Sequence, residues 1–285
     1  MSLLSEKSFI LENWNIALPV TIILLVTVYL ISKRKKTDLD GAEYIGADNS
    51  IKTDENCYED TEFTPSLDDK DHVLFPGAKV VLDGGATKFY EIVNDRRSVR
   101  KFSKKPVPFE IIKQCIQAAG TAPSGAHTEP WTFCVIADET IKNEIRDIIE
   151  TEEYLNYSQR MHRQWTTDLK PLKTNHVKEY LSDAPYLILI FKQIYGIRND
   201  GKKKQHYYNE ISVSIATGIL LCALQAAGLN SLVTTPLNCG PALRTLLNRP
   251  NNEKLLVLLP VGYAAEDCKV PDLRRKDVDE ILFTY

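Results

Sequence analysis

Residues 14–31, WNIALPVTIILLVTVYLI, run without a single charge and are followed at once by Lys33-Arg34-Lys35-Lys36. Eighteen helical residues rise about 1.5 Å each, roughly 27 Å in all, just enough to cross the hydrocarbon core of a bilayer. A cleaved signal peptide carries its basic residues before a shorter apolar run and ends in small residues at a cleavage site. Here the basic cluster comes after the run, and no A-x-A pattern follows. The pattern predicts one uncleaved transmembrane anchor over 14–32 in a single-pass protein of a plasma or vesicle membrane. The cationic flank stays on the cytosolic side. That puts 1–13 outside or in a lumen, and everything beyond Lys33 in the cytosol.

After the basic stop, residues 37–71 are acidic and poor in apolar side chains (DLDGAEY, TDENCYEDTE, SLDDKD). They show neither helical nor strand periodicity, so 33–72 reads as a flexible, self-repelling tether. The folded unit is expected over 73–285. With 44% hydrophobic residues in 285, the chain can bury one large core or two modest ones. The cysteines at 57, 115, 134, 222, 239 and 268 form no CxxC or zinc spacing and read as free thiols in a reducing compartment.

Within 73–285, apolar residues recur at helical spacing over 89–93, just before a basic stretch. Pro108 opens a helix over 109–119 that Gly120 closes. Residues 131–137 (WTFCVIA) read as a buried strand, and Asp138 caps a helix running to Glu150. Residues 185–191 (PYLILIF) read as a second strand. Residues 210–227 form a helix apolar nearly all round, suited to a core or an interface and ending at Gly228. Strands follow over 231–235 and 254–259. This interleaving predicts an α+β fold, a three-layer α-β-α sandwich.

The basic stretch sets six cations between Arg96 and Lys105, in a chain of formal charge −3. A general nucleic-acid binder shows a basic total as well as a basic face, so the balance speaks against that class. No GxGxxG, GxxxxGK[ST], HExxH or GxSxG is present, and the five histidines are dispersed, so no metal site is expected. Arg96, Arg97, Ser98 and Arg100 offer three guanidiniums and a hydroxyl, a set that suits a phosphate dianion. A solvated helix end would account for the same charges. Downstream, TAPSGAHTEPW (121–131) is a loop of small residues that lets backbone approach a flat ligand. Thr234 and Thr235 place hydroxyls at a strand end. Glu153 and Tyr157, four apart, share a helical face. With Lys178 they offer an anion, a cation and a ring, as an amino acid zwitterion requires; a surface ion pair is the plainer reading. Asn156-Tyr157-Ser158 is formally a glycosylation sequon, on a side where glycosylation does not occur.

RRSVRKF, APSGAHTEPW, TTPLNCG and PVGY, with the late basic cluster Arg274-Arg275-Lys276, together resemble the nitroreductase superfamily of FMN enzymes. The likeness is closest to its halotyrosine-dehalogenating branch, through SGAHTEPW, the insert over 153–180, GKKKQHYYNEISVSIATGILL and TTPLNCGPALR, and it covers 73–285. It implies a nitroreductase-like intertwined homodimer with FMN at the subunit interface. By the same resemblance Arg96, Arg97, Ser98, Val99 and Arg100 hold the cofactor, and Arg275 reaches its phosphate from the partner subunit. Lys101, Lys104 and Lys105 form a solvated flank. Pro123, Ser124, Val233 and Thr234 line the flavin, and Thr235 is the catalytic residue, its hydroxyl near N5 favouring one-electron steps. Glu153, Tyr157 and Lys178 bind the substrate zwitterion, while the Ala126 N–H holds the phenolate. Residues 153–178 form a lid. The implied activity is reductive dehalogenation of mono- and diiodotyrosine, with NADPH as ultimate reductant, through a separate reductase if one is needed. A general nitroreductase or ene-reductase, a non-catalytic halotyrosine or flavin sensor, and a membrane-tethered scaffold remain open.

Overall fold

The structure is a computed structural model that describes residue 67 and residues 69–78, 80–198 and 201–285, all within one unit, Phe63–Tyr285. The expected anchor at 14–32, the tether up to residue 66, and Cys57 lie outside the described residues.

In chain order the elements are α1 (Gly85–Asn94), α2 (Phe109–Ala119), β1 (Trp131–Ile136), α3 (Glu139–Leu155), α4 (Arg163–Leu169) and α5 (Tyr180–Asp183). There follow β2 (Tyr186–Gln193), a hairpin of β3 (Tyr195–Ile197) and β4 (Lys203–Gln205), α6 (Asn209–Ala226), β5 (Asn230–Ser231), α7 (Gly240–Leu246) and β6 (Glu253–Gly262). The main sheet has the order β1-β2-β6-β5, antiparallel throughout.

The apolar run at 187–191 is a central strand, buried on both faces. Leu187, Leu189 and Phe191 pack on one side with Ile145 and Ile149 of α3 and Leu243 of α7. Ile188 and Ile190 pack on the other with Ile112 of α2 and Val213, Leu220 and Leu224 of α6. Side chains of this size contribute about 1.5–3 kcal/mol each on full burial. Helices on both faces of one sheet make the three layers that the sequence predicts.

The structure adds α4, α5, the β3–β4 hairpin and α7, which the sequence reading does not contain, and it redraws two of the expected elements. The strand expected over 231–235 shrinks to Asn230–Ser231. The register brings Leu232 opposite Pro260; Leu232 N donates to the Pro260 carbonyl, but proline has no N–H to return. Pairing resumes at Thr234, which exchanges both backbone hydrogen bonds with Leu258. The helix expected to stop at Glu150 runs to Leu155 and widens into a π-helical turn, Asn156–Arg160.

Among the described residues, one helix, α6, is long and apolar enough to cross a membrane, yet it packs against the sheet. It ends at Gly228, whose φ of 73° is the left-handed conformation that glycine adopts without a Cβ penalty. All five described cysteines are free.

Candidate active site

The basic stretch is fixed beside the sheet edge. Val99 N donates to the Ser231 carbonyl, so Ser98 forms a parallel bridge with Ser231, and buried Phe102 forms another with Ala264. Arg96, Arg97, Ser98 and Arg100 thereby line a cleft of about 510 Å3 with Asn94, Leu172, Pro271, Arg274 and Arg275. The Arg97 guanidinium donates to the Pro271 carbonyl. Arg275, expected to reach this cleft from a partner subunit, lines it from the same chain instead and donates to the carbonyls of Asn94 and Arg96, each at 2.7 Å. These contacts use part of each five-donor fork and fix its plane. The cleft can take a phosphate. Lys101 pairs with Asp267 and Lys105 lies over the Tyr263 ring, both on the solvent side, as a flank.

The substrate-type residues come together from either end of the long insert. Glu153 is on the last turn of α3 and Lys178 just before α5, yet Lys178 Nζ lies 3.2 Å from Glu153 Oε2 with both side chains buried. The ammonium also donates to the Asn175 carbonyl at 2.5 Å and sits 5.3 Å from the Tyr157 ring centre. The Lys178 backbone N–H is held by Glu150 Oε1 at 2.6 Å. Burial, offset in part by a hydrogen bond with Thr174, pushes the Tyr157 phenol above its ordinary pKa, so it stays protonated. Burial does the same to Tyr180, with the Glu153 charge adding to it. The charge of Arg100 opposes the shift at both phenols, and Leu172 of the insert lines the arginine cleft.

Two hydroxyls at the strand end face different ways. Thr234 Oγ1 donates to the Leu258 carbonyl at 3.1 Å, whereas Thr235 is exposed, as is Val233 beside it. The loop bearing Pro123, Ser124 and Ala126 is bent by positive φ at Ala126 (49°), His127 (48°) and Glu129 (45°). Ser124 Oγ accepts from the Glu129 N–H, and Gly125 packs against the Tyr207 carbonyl. Pro123, Ser124 and Ala126 are not among the residues that line the arginine cleft of their own chain. The loop feeds Trp131, level with Lys192 and Lys254, whereas the arginine stretch adjoins Ser231, level with Val261. Those are diagonal corners of the sheet, on the order of 25 Å apart by strand rise and spacing.

Sequence reasoning missed Glu150, Asn175, Asn238 and above all Asn156, which is 1% exposed and donates to Glu153 Oε1 at 3.3 Å. Its burial closes the sequon to any glycan.

Residues 93–263 match the nitroreductase family. An iodotyrosine deiodinase of Drosophila melanogaster is 53% identical over 99% of this chain and 98% of its own length. The human iodotyrosine deiodinase 1 is 63% identical over 69% of this chain and 68% of its own. A crystal structure of oxidized iodotyrosine deiodinase bound to FMN and 3-iodo-L-tyrosine aligns with a TM-score of 0.59 at 32% identity, covering 67% of this chain and 96% of that one.

Proposed function

The chain belongs to the nitroreductase family, in its iodotyrosine deiodinase branch, and we propose from that premise that it dehalogenates mono- and diiodotyrosine reductively, with FMN as cofactor and NADPH as ultimate reductant. In this reaction a ring C–I bond is replaced by C–H. One proton and two electrons are taken up, and tyrosine and iodide leave. Bound FMN supplies the electrons.

The observation that carries the reading is the buried Glu153–Lys178 pair beside the Tyr157 ring. A general nitroreductase has no use for two opposite charges held out of water. Glu153 takes the substrate ammonium, Lys178 its carboxylate, and Tyr157 donates a hydrogen bond while covering the ring. The Ala126 N–H holds the phenol oxygen, and an ortho halogen favours that anion by lowering the phenol pKa. The guanidiniums of Arg96, Arg97, Arg100 and Arg275 and the Ser98 hydroxyl hold the FMN phosphate; their crowding around the cleft fits a dianion. Val99 is fixed beside them, Pro123, Ser124, Val233 and Thr234 line the flavin, and Thr235 offers its free hydroxyl to N5. The insert 153–178 closes over the ring and excludes water.

A homodimer brings the 121–131 loop of one chain to the arginines of the other. The diagonal separation of the two within one chain supports this, as do the exposed Val73, Leu74, Phe75, Val80 and Val81. The uncharged run at 14–31 with its basic flank supports a membrane anchor and a cytosolic catalytic unit over 73–285. A separate flavin reductase would pass on electrons from NADPH.

The test is anaerobic reduction of the full-length, FMN-loaded protein in detergent with dithionite, followed by 3-iodotyrosine. Flavin reoxidation with one iodide and one tyrosine per flavin is expected. Nitroaromatic reduction with iodotyrosine untouched would replace the reading by a general nitroreductase.

A further inference from the structure

Asn156 stands where α3 gives way to the π-helical turn, and its amide touches three side chains. Nδ2 donates to Glu153 Oε1 at 3.3 Å. Oδ1 accepts from Asn238 Nδ2 at 3.4 Å and from Arg160 Nη1 at 3.3 Å. Two donors meet one end of the amide and a carboxylate oxygen meets the other, so its orientation is set by its partners. The backbone is engaged too, since Met161 N donates to the Asn156 carbonyl at 2.8 Å and closes the wide turn.

This divides the two oxygens of Glu153. Oε1 is held by a neutral amide, while Oε2 faces Lys178. When a zwitterion enters, only Oε2 has to exchange a cation for a cation. Asn238 lies three residues beyond Thr235 and adopts φ of 64°, a left-handed conformation that asparagine tolerates well. The same amide therefore touches the carboxylate that meets the substrate and the loop that carries the exposed hydroxyl.

We propose that Asn156 is a positioning residue that fixes Glu153 Oε1 and couples the amino-group anchor to the Thr235 loop. The proposal rests on the zwitterion reading of Glu153 and Lys178. It has a signature that general packing lacks: ligands with an ammonium group feel the loss, and ligands without one do not.

The test uses the full-length, FMN-loaded protein and two ligands, 3-iodotyrosine and 2-iodophenol, which share ring and halogen but not the zwitterion. Binding is read from flavin fluorescence, and turnover from iodide release. Asn156→Asp keeps the shape and the acceptor for Arg160 and Asn238 but turns a carboxylate oxygen toward Glu153. We expect KM and Kd for 3-iodotyrosine to rise about tenfold or more, with FMN loading and 2-iodophenol affinity little changed. Unchanged iodotyrosine affinity, or equal weakening of both ligands, overturns the proposal. Should Asn156→Asp fail to fold or lose FMN, the exposed Asn238→Asp decides. It keeps a residue tolerant of positive φ, removes the donor, and should weaken 3-iodotyrosine selectively; no selective effect there overturns the coupling. Wild-type protein that does not bind 3-iodotyrosine at all would instead sink the functional reading, before any variant is compared.

Discussion

Lys178 and Glu153, twenty-five positions apart in the chain, face each other at 3.2 Å with side chains only 8% and 10% exposed. Desolvating two charges costs more than a surface pair returns, so a buried ion pair is weak evidence of stability for its own sake. A site that receives an ammonium and a carboxylate explains the expense. Glu153→Gln and Lys178→Met should each weaken 3-iodotyrosine binding about a hundredfold. Lys178→Met also strands a buried carboxylate and should lower stability by about 3 kcal/mol. The double variant should recover most of that stability in denaturant unfolding without recovering affinity. Recovered affinity would mean that the pair is structural.

Thr234 and Thr235 make a second internal comparison. Thr234 donates its hydroxyl to the Leu258 carbonyl, where the chain beyond β5 pairs with β6 again, and Thr235 is exposed. Thr234→Val should cost about 1 kcal/mol in stability. Thr235→Ala should leave stability within about 0.5 kcal/mol. Its effect belongs in turnover: kcat for iodide release should fall at least about tenfold, with 3-iodotyrosine affinity kept. Loss of affinity in step with kcat would place Thr235 in binding instead.

The long helices and the main-sheet strands were legible in the chain because apolar runs and caps are local signals, whereas short α4, α5 and α7 and the β3–β4 hairpin carry no such run. Asp138 caps α3 as its position predicts, accepting from Ile141 N at 2.9 Å. The truncation of β5 was not legible, since it depends on Pro260 arriving opposite Leu232 from nearly thirty residues away. The site divides in the same way. Charges and spacing made Glu153, Tyr157 and Lys178 candidates, and only the family resemblance preferred them to a surface ion pair. Asn156 had a signal that went unread: Lys142, Ile145, Ile149, Glu153 and Asn156 are one buried stripe of α3 and its extension, apolar in the middle and polar at both ends. The bends at Ala126, His127 and Glu129 had none, because no glycine or asparagine marks those positive φ angles.

Gly125 sits among those bends and is hemmed in by backbone. A Cβ there would lie 2.8 Å from the Tyr207 carbonyl oxygen and 3.3 Å from the Tyr208 ring. Backbone cannot swing aside as the end of a side chain can. Gly125→Ala should therefore destabilise by about 1–3 kcal/mol, read as a lower Tm, and displace the neighbouring Ala126 N–H. If that N–H holds the phenol oxygen, 3-iodotyrosine affinity falls as well. A variant with unchanged Tm would show that the loop yields freely.

The last expectation concerns alkaline pH. Burial, reinforced by the charges of Glu153 and Glu152, pushes the Cys239 thiol from an ordinary value near 9 up to about 12. As pH rises, the unfolded chain gives up this proton first, so it binds fewer protons than the folded chain. Stability supplied by the protonated thiol is complete below pH 9 and is lost as pH climbs toward 12, at no more than about 1.4 kcal/mol per unit. The buried Tyr180 phenol is also raised and adds a loss of the same sign that begins higher, from an ordinary value of 10. Cys239→Ala removes only the first of these. The fall in unfolding free energy between pH 8.5 and 10.5 should then be smaller by about 1–2 kcal/mol than in the wild type, with the later loss intact. An identical fall in both proteins would mean that the thiolate is accommodated in the folded chain, which would require water or a cation to reach the fully buried Cys239.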